Sequence, residues 1–151
     1  MKLPVLLILL TLTLFAYQKG DTIDTAIQQQ LGMHSEKIHI LDFFASWCGS
    51  CKKEIPLISK ANTKIDHNSV EIIGIDVDQD PKKGQAFQKE LRDEGKLNFR
   101  VVNDPMNLII GKFNPIGMPA LYYIKKGKVV NIIYGAVDDI DKQIISDLEK
   151  L

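Results

Sequence analysis

The run LDFFASWCGSCKKEIP at residues 41–56 constrains this chain more than any other segment. Residues 37–45, KIHILDFFA, are β-branched and aromatic and read as a buried strand. Downstream, Ile55, Leu57, Ile58, Ala61 and Ile65 recur at helical spacing, so a helix begins near Cys48 and Cys51, the chain's two cysteines. Pro56 inside that pattern predicts a kink. A strand that delivers a Cys-x-x-Cys pair onto a helix start is the opening of an α/β unit.

The rest of the chain extends that unit. Residues 21–31 carry Ile23, Ala26, Ile27 and Leu31 at helical spacing, with Gly32 as a stop. Residues 70–77 form a second apolar strand, and Asp80-Pro81 opens a helix through residue 94. An extended stretch at 99–102, a turn at 103–105 and a short helix at 106–113 follow. Residues 120–124 and 128–134 read as a hairpin joined by Lys125-Lys126-Gly127, and residues 138–151 as a closing helix. Alternation followed by a hairpin implies an α/β fold, a central mixed β-sheet flanked by helices on both faces. With 151 residues the chain suits one domain, and its nineteen basic residues balance nineteen acidic ones. That balance offers no electrostatic reason to expect nucleic acid or an anionic membrane as partner.

The first residues are different. Residues 3–16, LPVLLILLTLTLFA, hold no charge and follow one lysine. As a helix they span about 21 Å, short of a hydrocarbon core of about 30 Å. Residues 1–17 therefore read as a secretory signal sequence or an N-terminal membrane anchor, and residues 18–151 as the domain. Leu14 is a poor residue for a cleavage site ending at Ala16, so cleavage and retention both stay open. Either form places the domain outside the cytoplasm, in the periplasm or on the outer face of the cytoplasmic membrane.

An exported protein can keep disulfides, but a staple closing so short a loop constrains the unfolded chain little. Structural zinc needs four ligands, and His34, His39 and His67 lack the spacing, so no metal is expected. Haem attachment needs His after the second cysteine, where Lys52 stands. A redox couple fits better. At a helix N-terminus Cys48 is favoured as thiolate, and Cys51, one turn on, is placed to resolve a mixed disulfide. Lys52 and Lys53 add positive potential or are plain surface lysines. Trp47 reads as a flat cover for the sulfur and a surface for a partner.

Two carboxylates flank the pair. Asp42 lies within the apolar strand, and burial would raise its pKa and suit it to exchange a proton with Cys51. Glu54, a turn beyond Cys51, either shares that role or is an ordinary surface residue.

The run DFFASWCGSCKKEIP resembles thioredoxin-fold proteins. Its W-C-x-x-C-x-x-E-x-P part, residues 47–56, is similar to the exported TlpA, ResA and CcmG (DsbE) branch. Similarity continues through GIDVD at 74–78, FRVVND at 99–104, NPIGMPA at 114–120 and GKVV at 127–130. The resemblance implies a thioredoxin fold with Cys48 and Cys51 as the catalytic pair. It also implies a cis peptide bond at Met118-Pro119 facing them and pairing with extended substrate, and a substrate surface of Trp47, Gly49, Ser50, Met118 and Pro119. From the residues alone Pro119 could equally be a trans turn residue. Three departures stand out. Gly74 occupies the position where thioredoxins place a lysine near the buried acid, Ala120 stands where many relatives have Thr, and no N-terminal hairpin of the TlpA branch is evident.

By that resemblance the chain is an extracytoplasmic thiol–disulfide oxidoreductase, an enzyme that reduces disulfides of exported proteins, with apocytochrome c as a candidate client. It would act as a monomer, with no cofactor beyond the Cys48–Cys51 disulfide and with electrons from a membrane donor of the CcdA/DsbD type. The rivals are an oxidant or isomerase of exported proteins, and a non-catalytic thioredoxin-like module binding a metal or a client. Peroxidase activity has no support in the residues around Cys48.

Overall fold

The computed structural model of the chain describes residues 16–151. The leader or anchor read at residues 1–17 therefore lies outside the described residues, apart from its last two positions. Of these, Tyr17 packs edge-on against Phe113, ring centroids 4.9 Å apart.

In chain order the elements are α1 (Thr25–Gln30), β1 (Ile38–Phe44), α2 (Gly49–Asn62), β2 (Val70–Asp76), α3 (Pro81–Asp93), β3 (Arg100–Asn103), α4 (Leu108–Phe113), β4 (Ala120–Lys125), β5 (Lys128–Tyr134) and α5 (Ile140–Leu148). The five strands form one sheet in the order β3-β2-β1-β4-β5. β1 runs parallel to β2 and β2 to β3, while β4 is antiparallel to both β1 and β5. The mixed sheet expected from the element order is present.

Strand alternation divides the core into two layers. Ile40 and Phe44 of β1, with Leu121 and Tyr123 of β4, pack under α2, α3 and α5 through Ile55, Ile58, Phe87, Leu91, Ile140 and Ile144. Leu41 and Phe43, with Tyr122 and Ile124, face the other way, against Ile27 of α1 and Ile109 and Phe113 of α4. The α2, α3, α5 layer covers Cys48 and Cys51.

The N-terminal expectation is corrected. Residues 21–31 do not form one helix. Thr22 bridges Lys128, the Ile23 amide donates to Gly127 (2.8 Å) and the Val129 amide donates to Asp21 (2.9 Å). This segment lies along the start of β5, where open backbone groups satisfy its own, and the helix is left with Thr25–Gln30. α2 runs unbroken from Gly49 to Asn62 with Pro56 inside it. α4 starts at Leu108 rather than 106, because the Asp104 carboxylate accepts the amides of Leu108, Ile109 and Ile110 at 2.9, 3.0 and 2.9 Å. The hairpin turn is Lys126-Gly127, both at positive φ (52° and 74°), as a two-residue turn between twisted strands requires.

Candidate active site

Asp42, between Ile40 and Phe44, points into the α2 layer, and the strand then leads through Ala45, Ser46 and Trp47 to the cysteines. Cys48 is the N-cap of α2, in extended conformation, and its Sγ accepts the Cys51 amide at 3.2 Å. Cys48 and Cys51 form a disulfide, their Cα atoms 5.2 Å apart. Cys48 keeps 7% exposure and Cys51 none, so only Cys48 is open to attack or to attack others. The Ser50 hydroxyl lies 3.5 Å from Cys48 Sγ. Lys52 is tied to α3, its Nζ 3.0 Å from Glu90, and Lys53 is exposed.

Cys48 opens onto a groove of about 900 Å³ lined by Trp47, Asp78, Asn107, Ile110 and Met118 among others. Of the sequence-derived substrate surface, Trp47 and Met118 line it, while Gly49, Ser50 and Pro119 do not. The Met118-Pro119 bond is cis. Among the described residues, the large apolar side chains most open to solvent are Trp47, Met106, Leu108 and Ile116. Trp47 lines the groove, and the other three adjoin its lining residues Asn107, Pro115 and Gly117. Exposed apolar groups gathered at one opening are a feature that interaction surfaces share.

Behind the disulfide lie the acids. Asp42 is buried, with neither carboxyl oxygen hydrogen-bonded. Burial first, then the charge of Glu54, holds its pKa well above the carboxylate range. Glu54, which the sequence leaves open between a proton-handling and a surface role, is 3% exposed. Its Oε2 accepts the Val137 amide at 2.8 Å, and its Oε1 has no partner. Burial pushes its pKa up to about 6, and the Val137 amide pulls against that. Two uncompensated carboxyls in one apolar layer are a poor choice for stability and a suitable one for storing a proton.

That cost has a sign in pH. Between its ordinary 4.5 and about 6, Glu54 keeps in the folded chain a proton that the unfolded chain has released. The folded state then binds more protons, so stability falls as pH rises through that window. Asp42, raised well above 3.8 by burial, acts in the same direction. Urea midpoints of the oxidised protein are expected to decline from pH 4.5 to about 6, and Glu54→Gln to flatten the decline. A stability that rises over that range would contradict the burial of these acids.

Gly74 pairs with Asp42 across β1 and β2. A Cβ there would come within 2.8 Å of Phe44 Cε1 and 3.1 Å of both Phe99 Cε2 and Val101 Cγ2. Phe44 and Phe99 fill the space that a lysine partner would need, so Asp42 has no cation beside it.

The sequence reading missed a second acidic group. Asp78 accepts both the amide and the hydroxyl of Ser46, each at 2.7 Å, and so fixes the loop two residues before Cys48. Asp76 accepts the Asp78 amide (2.9 Å) and the Gln88 side chain (2.7 Å). The acidic spacing of Asp76, Asp78 and Asp80 at a strand end was the available signal. Among the described residues no cluster of three or more His, Cys, Asp or Glu is arranged to hold a metal ion, and no helix is long and apolar enough to cross a membrane.

A five-stranded mixed sheet, a disulfide capping the following helix and a cis-proline loop beside it define a thioredoxin-fold protein with a Cys-x-x-Cys pair. The chain belongs to the AhpC/TSA family, whose profile matches residues 12–132. It is 32% identical over 112 residues to the thiol-disulfide oxidoreductase ResA of Bacillus cereus, covering 74% of this chain and 61% of that protein. The chain thus spans about 61% of the length of that relative. Among solved structures it is similar to a thiol:disulfide interchange protein DsbE from Chlorobium tepidum, with TM-score 0.74, 19% identity, and 89% and 98% of the two chains covered. It is also similar to StoA from Bacillus subtilis, with TM-score 0.64, 22% identity and coverage of 75% and 83%.

Proposed function

We propose that this chain is an extracytoplasmic thiol–disulfide oxidoreductase that reduces disulfides of exported proteins. The observation that carries the reading is the Cys48–Cys51 pair itself, with one sulfur at a helix N-cap on an open groove and the other buried in the same layer as an unpartnered acid. In the reduced protein the Cys48 thiolate attacks one sulfur of a client disulfide, forming a mixed disulfide and expelling the first client thiolate. Cys51 then gives its proton to ionised Asp42, and its thiolate attacks Cys48 Sγ. That step closes the Cys48–Cys51 bond and expels the second client thiolate. Two electrons pass from the pair to the client, and the client thiolates take up protons from water. Burial, then the charge of Glu54, makes Asp42 a better proton acceptor for a thiol than a solvated carboxylate would be. Asp42 is the proton acceptor, and Glu54 tunes it.

Met118 and Trp47 hold the client, whose extended backbone lies along the cis-proline loop. Gly49 and Ser50 meet it at the helix start, and Pro119 shapes the loop from below. The redox cofactor is the disulfide itself. The apolar, uncharged run read at residues 3–16 supports a place outside the cytoplasm. Electrons would come from a membrane donor of the CcdA/DsbD type, and apocytochrome c is a fitting client because its haem-binding thiols must be reduced. The test is reduction of insulin by dithiothreitol with and without the protein. Clear acceleration supports the reading. No acceleration, with a client still bound, would replace it with a binding module.

A further inference from the structure

The proton that Cys51 gives up in the proposed reaction begins in a sealed layer. Asp42 and Tyr123 lie on one face of the sheet. Tyr123 is directly opposite Ile40, two residues before Asp42 on β1, so the two side chains are diagonal neighbours under α2 and α5. The Tyr123 ring is fully buried and its hydroxyl has no partner. The same is true of both Asp42 oxygens and of Glu54 Oε1. Buried polar groups normally find partners, so three orphans gathered in one layer need a reason.

On its other side Tyr123 faces Asn131 across β4 and β5. The Asn131 side chain donates to Asp147 Oδ2 at 3.3 Å, and Gln143 holds Asp147 Oδ1 at 2.7 Å. Asp147 lies at the edge of this layer, 8% exposed, with the solvated Lys150 ammonium 3.9 Å from its Oδ1. Tyr123 thus stands between the acids beneath the disulfide and a carboxylate at the surface. The titratable groups facing it are Asp42 from β1, Glu54 from α2 and Asp147 from α5. Burial first, then Asp147 and Glu54, hold its hydroxyl in the protonated form.

We propose that protons leave and enter the Cys51 site along Asp42, Glu54, Tyr123 and Asp147, with Tyr123 as the positioning residue that links the inner acids to the surface one. The inference rests on the reductant reading. A hydroxyl relays a proton by accepting one and donating its own, so its charge never changes and its high pKa is no obstacle.

The test separates the two thiol steps. When the reduced full chain meets one equivalent of 5,5′-dithiobis(2-nitrobenzoate), attack by Cys48 releases the first thionitrobenzoate and closure by Cys51 releases the second. Tyr123→Phe keeps the ring and removes a hydroxyl that has no partner, so its melting temperature should stay level or rise. In that variant the second release is expected to slow roughly tenfold, with a larger solvent deuterium effect and an unchanged first release. Asp147→Asn should slow the same step, which keeps the test alive if Tyr123→Phe folds poorly. A second release at the wild-type rate in both variants would overturn the relay. A slower first release would also count against it, because that marks a general disturbance of the site. If the wild-type protein gives no second release, the reductant reading itself fails, an outcome distinct from the other two.

Discussion

Cys48→Ser is expected to lower insulin reduction to the rate of dithiothreitol alone. Of the two cysteines only Cys48 has any exposure, it lines the groove, and its Sγ sits at the start of α2 accepting the Cys51 amide. That position favours a thiolate, and a serine hydroxyl there has neither the ionisation nor the sulfur chemistry to replace it. Cys51→Ser should behave differently. Attack by Cys48 survives, but nothing closes the ring, so a one-to-one mixed disulfide accumulates and is released by added thiol. Mass spectrometry of the two variants after incubation with a disulfide-containing protein checks both. Turnover by Cys48→Ser would show that the pair is not the site, and adducts on Cys51 in place of Cys48 would invert the roles.

The second large effect concerns folding. Gly74→Ala puts a methyl 2.8 Å from Phe44 Cε1 in a full layer. Overpacking of this kind costs about 1–3 kcal/mol, or roughly 3–10 °C in melting temperature for a domain of this size. Gly74→Lys, which restores the residue that thioredoxins carry, should do much worse, because the chain must also displace Phe99 and Val101. The expected result is insoluble or unfolded protein. If Gly74→Lys instead folds with a higher melting temperature, a lysine–Asp42 pair has formed, and the aromatic seal over Asp42 is not what keeps that acid unpartnered.

These residues show what the sequence made legible. Cys48 at a helix start, Pro81 opening α3 and the Lys126-Gly127 turn are local signals, and each appears where the spacing places it. Burial of Asp42 followed from its apolar neighbours on one strand. Glu54 was harder, because its burial depends on Val137, far along the chain, folding back to donate to it. The pairing of Asp21–Ile23 with the start of β5 and the Asp78 grip on Ser46 are likewise contacts between distant segments. Tyr123 read only as a strand residue, since its hydroxyl matters only once β1, α2 and α5 meet around it.

The most direct test of the reductant assignment is the reduction potential of the Cys48–Cys51 pair, measured by equilibration with glutathione or dithiothreitol. Thioredoxin lies near −270 mV and the oxidant DsbA near −120 mV on the same scale. The account predicts a value at or below about −220 mV, which would let the pair reduce client disulfides outside the cytoplasm when supplied with electrons. A value near about −120 mV would contradict it and make the protein an oxidant built on the same fold.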